Sequence, residues 1–373
     1  MSSEASFKWK LNFGDKYAAN NIEKVNLEVT ARCNLRCKMC WWWGENGTVP
    51  ELLKEGNHFL KEELTTQEIF DIVDQLAPQK PLFHITGGEP FIRGDMIDII
   101  EYICRKGMSV GINSNGTLLS EDQLERIAKI NNLTINFSID GPREVHDKIR
   151  GTGVFDKATS TMRKLLELRG NTIYPSIKTT TTFSPPILGH IDEIIRYLQN
   201  DVGVDALRLQ HVWFTDKAHA EEHKRVLKEA FGTNERGVDS HVMPPYDPQY
   251  ANELAKEIKQ VEKTKYSKPV FMHPKLTKEQ IVRQYTDLSF KKRDKCFIAW
   301  ASIIIKANGS VMFCPDEWMT DFKLGNVRNN RIDDMWNGKN AVKFREELHK
   351  HRLFPACARC CAINNGSLFI SQS

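Results

Sequence analysis

Three cysteines crowd one short stretch of this chain: TARCNLRCKMCWWWGENG, residues 30–47, sets Cys33, Cys37 and Cys40 at the spacing C-x3-C-x2-C. Structural zinc closes a tetrahedron with four protein ligands, so a tight group of three suits an iron-sulfur cluster whose fourth iron stays open to another ligand. The alternative from this segment alone is a zinc site completed by a distant cysteine or histidine. Nine cysteines occur in all, and the N-terminus, MSSEASFKWKLNFGDKY, has neither a signal-peptide apolar region nor a cleavage site. They therefore read as metal ligands in a reducing cytoplasm, not as disulfides.

A chain of 373 residues with 40% hydrophobic content fills the core of one large domain with an appendage, or of two domains. No run of roughly 18 uncharged apolar residues occurs, so no membrane span is expected. The net charge of +4 comes from interspersed acids and bases, without the broad basic footprint that draws nucleic acid.

Downstream, β-branched apolar runs alternate with segments of helical periodicity. KVNLEVTA (24–31), PLFHIT (81–86), MSVGIN (108–113), LTINFSID (133–140), SIKTTTTF (176–183) and VDALRLQHV (204–212) read as strands. TQEIFDIVDQLA, DMIDIIEYICRKG, SEDQLERIAKI, DKATSTMRKLLELRG and HIDEIIRYLQN read as the helices between them. Six such units predict an α/β fold, a parallel sheet curved into a partial (β/α)6 TIM-like barrel. Chemistry in such folds gathers at the C-terminal ends of the strands. The three cysteines follow the first strand, Gly87-Gly88-Glu89-Pro90 the second, Asn113-Ser114-Asn115-Gly116 the third, and Ser138 with Asp140-Gly141 closes the fourth. Glycines there let backbone approach a ligand closely, and a neighbouring carboxylate can pair with an ammonium group; GGEP or SIDGP taken alone reads better as an ordinary turn.

Together, CNLRCKMC, TGGEPF, NSNGT and FSIDGPREVHDKIRG resemble the radical S-adenosylmethionine (radical SAM) superfamily over about residues 24–212. The resemblance implies that Cys33, Cys37 and Cys40 hold a 4Fe-4S cluster and that S-adenosylmethionine is the missing fourth ligand. A reduced cluster of this kind cleaves the cosubstrate to a 5′-deoxyadenosyl radical, which takes hydrogen from an unactivated C–H bond. It further implies contact of Gly87, Gly88 and Glu89 with the cosubstrate amino group, of Ser138 with its ribose, and a supporting role for Asn113 or Asn115. Arg150 is placed at its carboxylate, with a surface salt bridge as the alternative, and Gln210 at its adenine. An external one-electron donor such as a flavodoxin or ferredoxin follows from the same resemblance. Trp41, Trp42 and Trp43 depart from the single aromatic common after the third cysteine and are expected to wall the cluster from water.

A second cysteine group ends the chain. Cys296 and Cys314 flank an expected hairpin with its turn at Asn308-Gly309, and Cys357 and Cys360 add C-x2-C, with a zinc ribbon as the alternative. This region resembles the short, one-cluster Twitch form of the SPASM extension. That implies a second 4Fe-4S cluster, an auxiliary one, on Cys296, Cys314, Cys357 and Cys360, with Cys361 able to replace Cys360. Cys104 reads as a buried small hydrophobe. The expected organisation is an N-terminal extension (1–23), the partial barrel (24–212), a helical connector and substrate cap (213–292), and a small C-terminal cysteine-rich auxiliary-cluster domain (293–373).

One rival motif lies in the connector. His219, Glu222 and His223 fit H-x-x-E-H, a zinc-peptidase pattern, but on a highly charged segment that reads as a solvated helix. The substrate class stays divided between a small polar metabolite, oxidised or rearranged, and a ribosomally made peptide. Only about twenty residues precede the first strand, so no fused peptide-recognition domain is expected there, which tilts the reading toward the small molecule.

Overall fold

The computed structural model describes residues 17–45, 47–50, 62–315, 319 and 321–360. Its centre is a ten-stranded sheet in the order β10-β9-β8-β1-β2-β3-β4-β5-β6-β7. The expected strands are present as β1 (Lys24–Glu28), β2 (Leu82–Thr86), β3 (Val110–Ser114), β4 (Leu133–Ser138), β5 (Ser176–Phe183) and β6 (Ala206–His211). All pair in parallel, each with the next.

Two residue periods build this arrangement. Along the strands every second side chain is apolar and packs outward under the helices: Phe83, Ile85, Ile112, Ile135, Ile177 and Leu209 are fully buried. The helix Thr66–Leu76 answers with Ile69, Ile72, Val73 and Leu76 on one buried face. It starts where it does because Thr65 and Glu68 form a capping box, and Ser120 with Gln123 and Thr277 with Gln280 start the helices Glu121–Ile127 and Lys278–Thr286 in the same way.

The alternate positions face inward and are polar. The Asn136 side chain donates to Asn113 Oδ1 at 3.0 Å and to Thr180 Oγ1 at 2.6 Å, joining three strands across the inner face. The sheet curls enough that the charge of Arg208 on β6 reaches His84 on β2, four strands away in the sheet order.

The connector holds the expected helices, at Lys217–Phe231, Pro248–Lys263 and Lys278–Thr286, and also an unexpected strand. β7 (Val270–His273) pairs in parallel with β6 and ends the sheet. Four residues with an exposed Phe271 carry too little apolar alternation to announce a strand.

At the other end, β8 (Ser302–Ile305) lies parallel to β1, and β9 (Ser310–Met312) returns antiparallel to it. The hairpin turns at Asn308-Gly309 as expected, with Gly309 at φ +81°. β10 (Gly325–Asn326) completes this edge. Arg345, fully buried, fastens the C-terminal region: it donates to the carbonyls of Ala299, Tyr17 and Trp336 at 2.8–3.0 Å and lies over the Trp336 ring.

Candidate functional site

The ends of β1 and β2 are stitched together beyond the strands. Val29 N–H donates to Thr86 O, Gly88 N–H to Thr30 O and Glu89 N–H to Arg32 O, at 2.8–3.1 Å. A Cβ on Gly87 would stand 2.2 Å from Thr30 O, and one on Gly88 2.1 Å from Arg32 O. Both glycines are thus demanded by the backbone that leads into Cys33, a closer constraint than the ligand approach expected from sequence.

The three sulfurs that follow each face an N–H donor. Leu35 N–H lies 3.4 Å from Cys33 Sγ, Trp43 N–H 3.2 Å from Cys40 Sγ, and Arg150 Nη1 4.0 Å from Cys37 Sγ. Burial pushes the Cys33 thiol up to about 11, with the charges of Glu89, Cys37 and Cys40 adding to it. Burial likewise raises Cys37, while Arg150 opposes the rise. Three neighbouring thiols, each already offered a hydrogen-bond donor and two of them, Cys33 and Cys37, resisting ionisation, fit a cationic iron-sulfur core that compensates thiolate charge.

Glu89, 1% exposed, is held rather than free. Its carboxylate accepts from Ser114 Oγ (2.9 Å), Phe91 N–H (3.2 Å) and Asn115 N–H (2.7 Å). Burial raises its pKa against those bonds. The Asn115 amide reaches Asn34 Oδ1 at 2.9 Å, so the third strand end also touches the cysteine loop. Asn113 lies in the inner-face network described above, and Ser138 stands in register with Thr180. Gln210, at the end of β6, donates to Thr182 Oγ1 at 3.1 Å. Arg150, expected at a ligand carboxylate or in a surface salt bridge, is half-buried in an ion pair: its Nε donates to Asp140 Oδ2 at 2.6 Å, and Asp140 is fully buried.

The tryptophans pack as a wall. Trp42 and Trp43 are 8% exposed. Trp43 Nε1 donates to Ala31 O at 2.7 Å under the Arg36 guanidinium, and Trp42 lies beneath Lys306, which pairs with Glu28. Trp41 meets Trp42 and, at 5.8 Å, His241.

The C-terminal cysteines form a second group. Burial pushes Cys296 up to about 12, with the Cys360 charge adding to it. Cys314 is raised by burial and by the charges of Cys357, Cys296 and Cys360, and Cys357 by burial, Cys360 and Cys296. Four thiols in one another's field match a fully ligated cluster in donor type and number. Cys361 lies outside the described residues. Between Cys357 and Cys360, Arg359 fixes the loop by donating to Gln284 O, Leu288 O and Asp287 O at 2.7–3.2 Å. Sequence reading passed over Arg359; an arginine inside C-x2-C, where only the cysteines are explained, was the available signal. Cys104 is half-buried on its helix, against the core.

The rival trio is otherwise engaged. Glu222 is paired with Arg225 at 2.6 Å, His219 with Asp216 at 2.9 Å, and His223 is buried against Phe354. Among the described residues no three His, Cys, Asp or Glu side chains, that trio included, close on a single metal ion. Nor is any helix among them long and apolar enough to cross a membrane.

Comparison with known proteins matches both regions. Residues 27–202 match the radical SAM superfamily, and residues 296–361 the SPASM iron-sulfur cluster-binding domain. The chain is similar over 91% of its length to the tungsten-containing aldehyde ferredoxin oxidoreductase cofactor-modifying protein of Pyrococcus furiosus, at 23% identity and 87% of that protein. A shorter match, 31% identical over 38% of this chain, links it to 34% of mycofactocin maturase MftC of Mycobacterium tuberculosis. Among solved structures, Streptococcus suis SuiB superposes with TM-score 0.60 at 13% identity, over 87% of this chain and 68% of SuiB. AdoMet-bound anSMEcpe superposes with TM-score 0.59 at 15% identity, over 92% and 91%. The cofactors of this pair of domains are 4Fe-4S clusters and S-adenosylmethionine. With three thiols just beyond the end of β1 and four in its C-terminal region, the chain carries a radical SAM domain followed by a C-terminal SPASM domain.

Proposed function

We propose that this chain is an oxidoreductase-type radical SAM enzyme of the cytoplasm that removes a hydrogen atom from a small polar substrate held inside the barrel. The observation that carries the reading is the N–H donor at each of Cys33, Cys37 and Cys40, beside the Glu89-anchored strand ends. These three cysteines would hold the barrel cluster, and Cys296, Cys314, Cys357 and Cys360 the auxiliary one. When bound, the barrel cluster and S-adenosylmethionine supply a 5′-deoxyadenosyl radical by one-electron cleavage of the S–C5′ bond.

The chain's own residues prepare that chemistry. Leu35 and Trp43 N–H groups stabilise thiolate charge, and Trp42 and Trp43 keep water from the cysteine loop. Glu89 ties the ends of β2 and β3 together, so that the half-buried Gly87-Gly88 segment and the hydroxyl of Ser138 would meet the cosubstrate in a fixed frame. The inward polar side chains of Asn113, Asn136 and Gln210 favour a substrate rich in hydroxyl, amide or charged groups, and the cofactor-modifying relative supports a small molecule.

A peptide substrate is the second reading. The edge strand β7, with Phe271 exposed, offers backbone groups to an extended chain, and the fold neighbours include SuiB bound to its precursor peptide.

Iron and sulfide analysis after anaerobic reconstitution tests the ligand assignment. Wild-type protein should hold about eight irons, and Cys37→Ala and Cys314→Ala about four each. Full iron in either folded variant would remove that cysteine from its ligand set.

A further inference from the structure

The stretch that leads into the second cysteine group is strongly basic. KKRDKCF, residues 291–297, sets Lys291, Arg293 and Lys295 on the surface just before Cys296. Among the described residues none of these three cations forms an ion pair, because the one acid of the stretch, Asp294, is taken by Arg352. Lys292, half-buried between them, donates its Nζ to Lys275 O at 2.7 Å and so brings the exposed Lys275 beside the stretch. The Lys291 charge also acts on Cys357 through space, opposing the rise of that thiol. The basic stretch therefore lies close to both halves of the second cysteine group.

An apolar anchor sits next to these charges. Phe297 directly follows Cys296 and is 42% exposed, whereas Ala299 and Trp300 behind it are buried. Trp300 N–H donates to Phe297 O at 3.1 Å, and the two rings meet edge to face at 6.4 Å, so the exposed ring is held in place. A single exposed aromatic means little. One flanked by three unpaired cations, beside a cluster ligand, has the anatomy of a small interface with an apolar centre and a charged rim.

The occupant follows from charge and from what the cysteines can do. Four protein thiolates leave no iron open to a substrate, so a cluster on Cys296, Cys314, Cys357 and Cys360 is suited to passing electrons. The chain's net charge of +4 gives a polynucleotide no broad basic track, while short-lived electron-transfer contacts need only a small patch. Resting on the ligand set and the oxidoreductase reading proposed above, we infer that Lys291, Arg293, Lys295 and Phe297 form the docking surface for an acidic one-electron carrier protein that takes an electron from the auxiliary cluster. Removal of a hydrogen atom takes one electron and one proton from the substrate. Loss of a second electron, with a proton to solvent, completes a two-electron oxidation. That second electron is the one the oxidised carrier gains, and no bond is made or broken at the interface. The cations steer the acidic partner and make the contact sensitive to salt.

Biolayer interferometry of the iron-loaded protein with an oxidised, acidic 2Fe-2S ferredoxin and, separately, an oxidised flavodoxin tests the inference. The expected result is saturable binding of at least one probe that weakens as salt rises. Its Kd should increase about tenfold or more in the double variant Arg293→Glu/Lys295→Glu and about threefold or more in Phe297→Ala. Lys148→Glu tests the other end of the molecule, since Lys148 is exposed beside Ile149, whose carbonyl accepts from Lys38 N–H in the barrel cysteine loop at 2.9 Å. That variant should bind as wild type does. All the replaced side chains are exposed, so iron content and melting temperature should match wild type. Absence of saturable binding by either probe, equal binding by wild type and the double variant, or loss confined to Lys148→Glu overturns the inference. So does a short DNA duplex that binds more tightly than either carrier. The iron content of Cys314→Ala reports on the ligand set separately.

Discussion

The Arg150 guanidinium links a carboxylate to a cysteine sulfur: its Nε donates to the buried Asp140 carboxylate at 2.6 Å, and its Nη1 faces Cys37 Sγ at 4.0 Å. A fixed positive charge beside one ligand favours the more negative, reduced state of a cluster held there. Arg150→Met should lower the midpoint potential of the barrel cluster by roughly 50 mV or more, read by anaerobic redox titration with EPR detection. Arg150→Lys should shift it less. The Met variant also leaves Asp140 buried and unpaired, so a lower melting temperature accompanies it. An unchanged potential in folded Arg150→Met would show that Arg150 only positions Asp140.

Gly88→Ala tests the stitching of β2 to the cysteine loop. The new Cβ would fall 2.1 Å from Arg32 O, so the backbone one residue before Cys33 must move. The expected outcome is loss of about four irons with the auxiliary cluster retained. Full iron content would show that the loop accommodates the shift.

Arg359→Lys keeps a cation but cannot reach three carbonyls with one ammonium geometry. The Cys357–Cys360 loop should loosen, lowering auxiliary iron while the barrel cluster still forms. Iron analysis with Mössbauer spectroscopy separates the two; undiminished auxiliary iron would assign Arg359 to stability alone.

Much of this arrangement is legible in the sequence and some is not, for a physical reason. Strands β1 to β6 follow from local alternation, and the turn at Asn308-Gly309 from its own residues. The pairing of β8 with β1 joins residues far apart in the chain, such as Ser302 with Lys24, and no local period encodes it. Gly87 and Gly88 were legible as special, but the atoms that exclude a side chain, Thr30 O and Arg32 O, belong to another strand's end. Arg150 was legible as a charge near the site. Its pairing with Asp140 depends on the turn that brings the helix Arg143–Arg150 back over Cys37, which spacing alone does not give.

Buried histidines make the fold acid-sensitive. His211, bonded to the Tyr285 hydroxyl at 3.0 Å, is pushed down to about 3 by burial, and His146, which accepts from Asp140 N–H, to about 4. Their folded values lie below the unfolded value, so the unfolded chain binds protons first. Stability is full above about pH 6.5 and falls as the pH drops toward those values. Between pH 7.5 and 4.5 His211 alone should cost about 3 kcal/mol. In denaturant titrations His211→Gln should show a smaller acid loss than wild type; equal losses would remove His211 as a cause.

The most direct measurement is 5′-deoxyadenosine formation by anaerobically reconstituted, dithionite-reduced protein supplied with S-adenosylmethionine, followed by chromatography. Wild type and Cys314→Ala should both form it, and Cys33→Ala, Cys37→Ala and Cys40→Ala, checked for folding, should form none. Cleavage retained in any of those three variants, or no cleavage by fully iron-loaded wild type, would contradict the account.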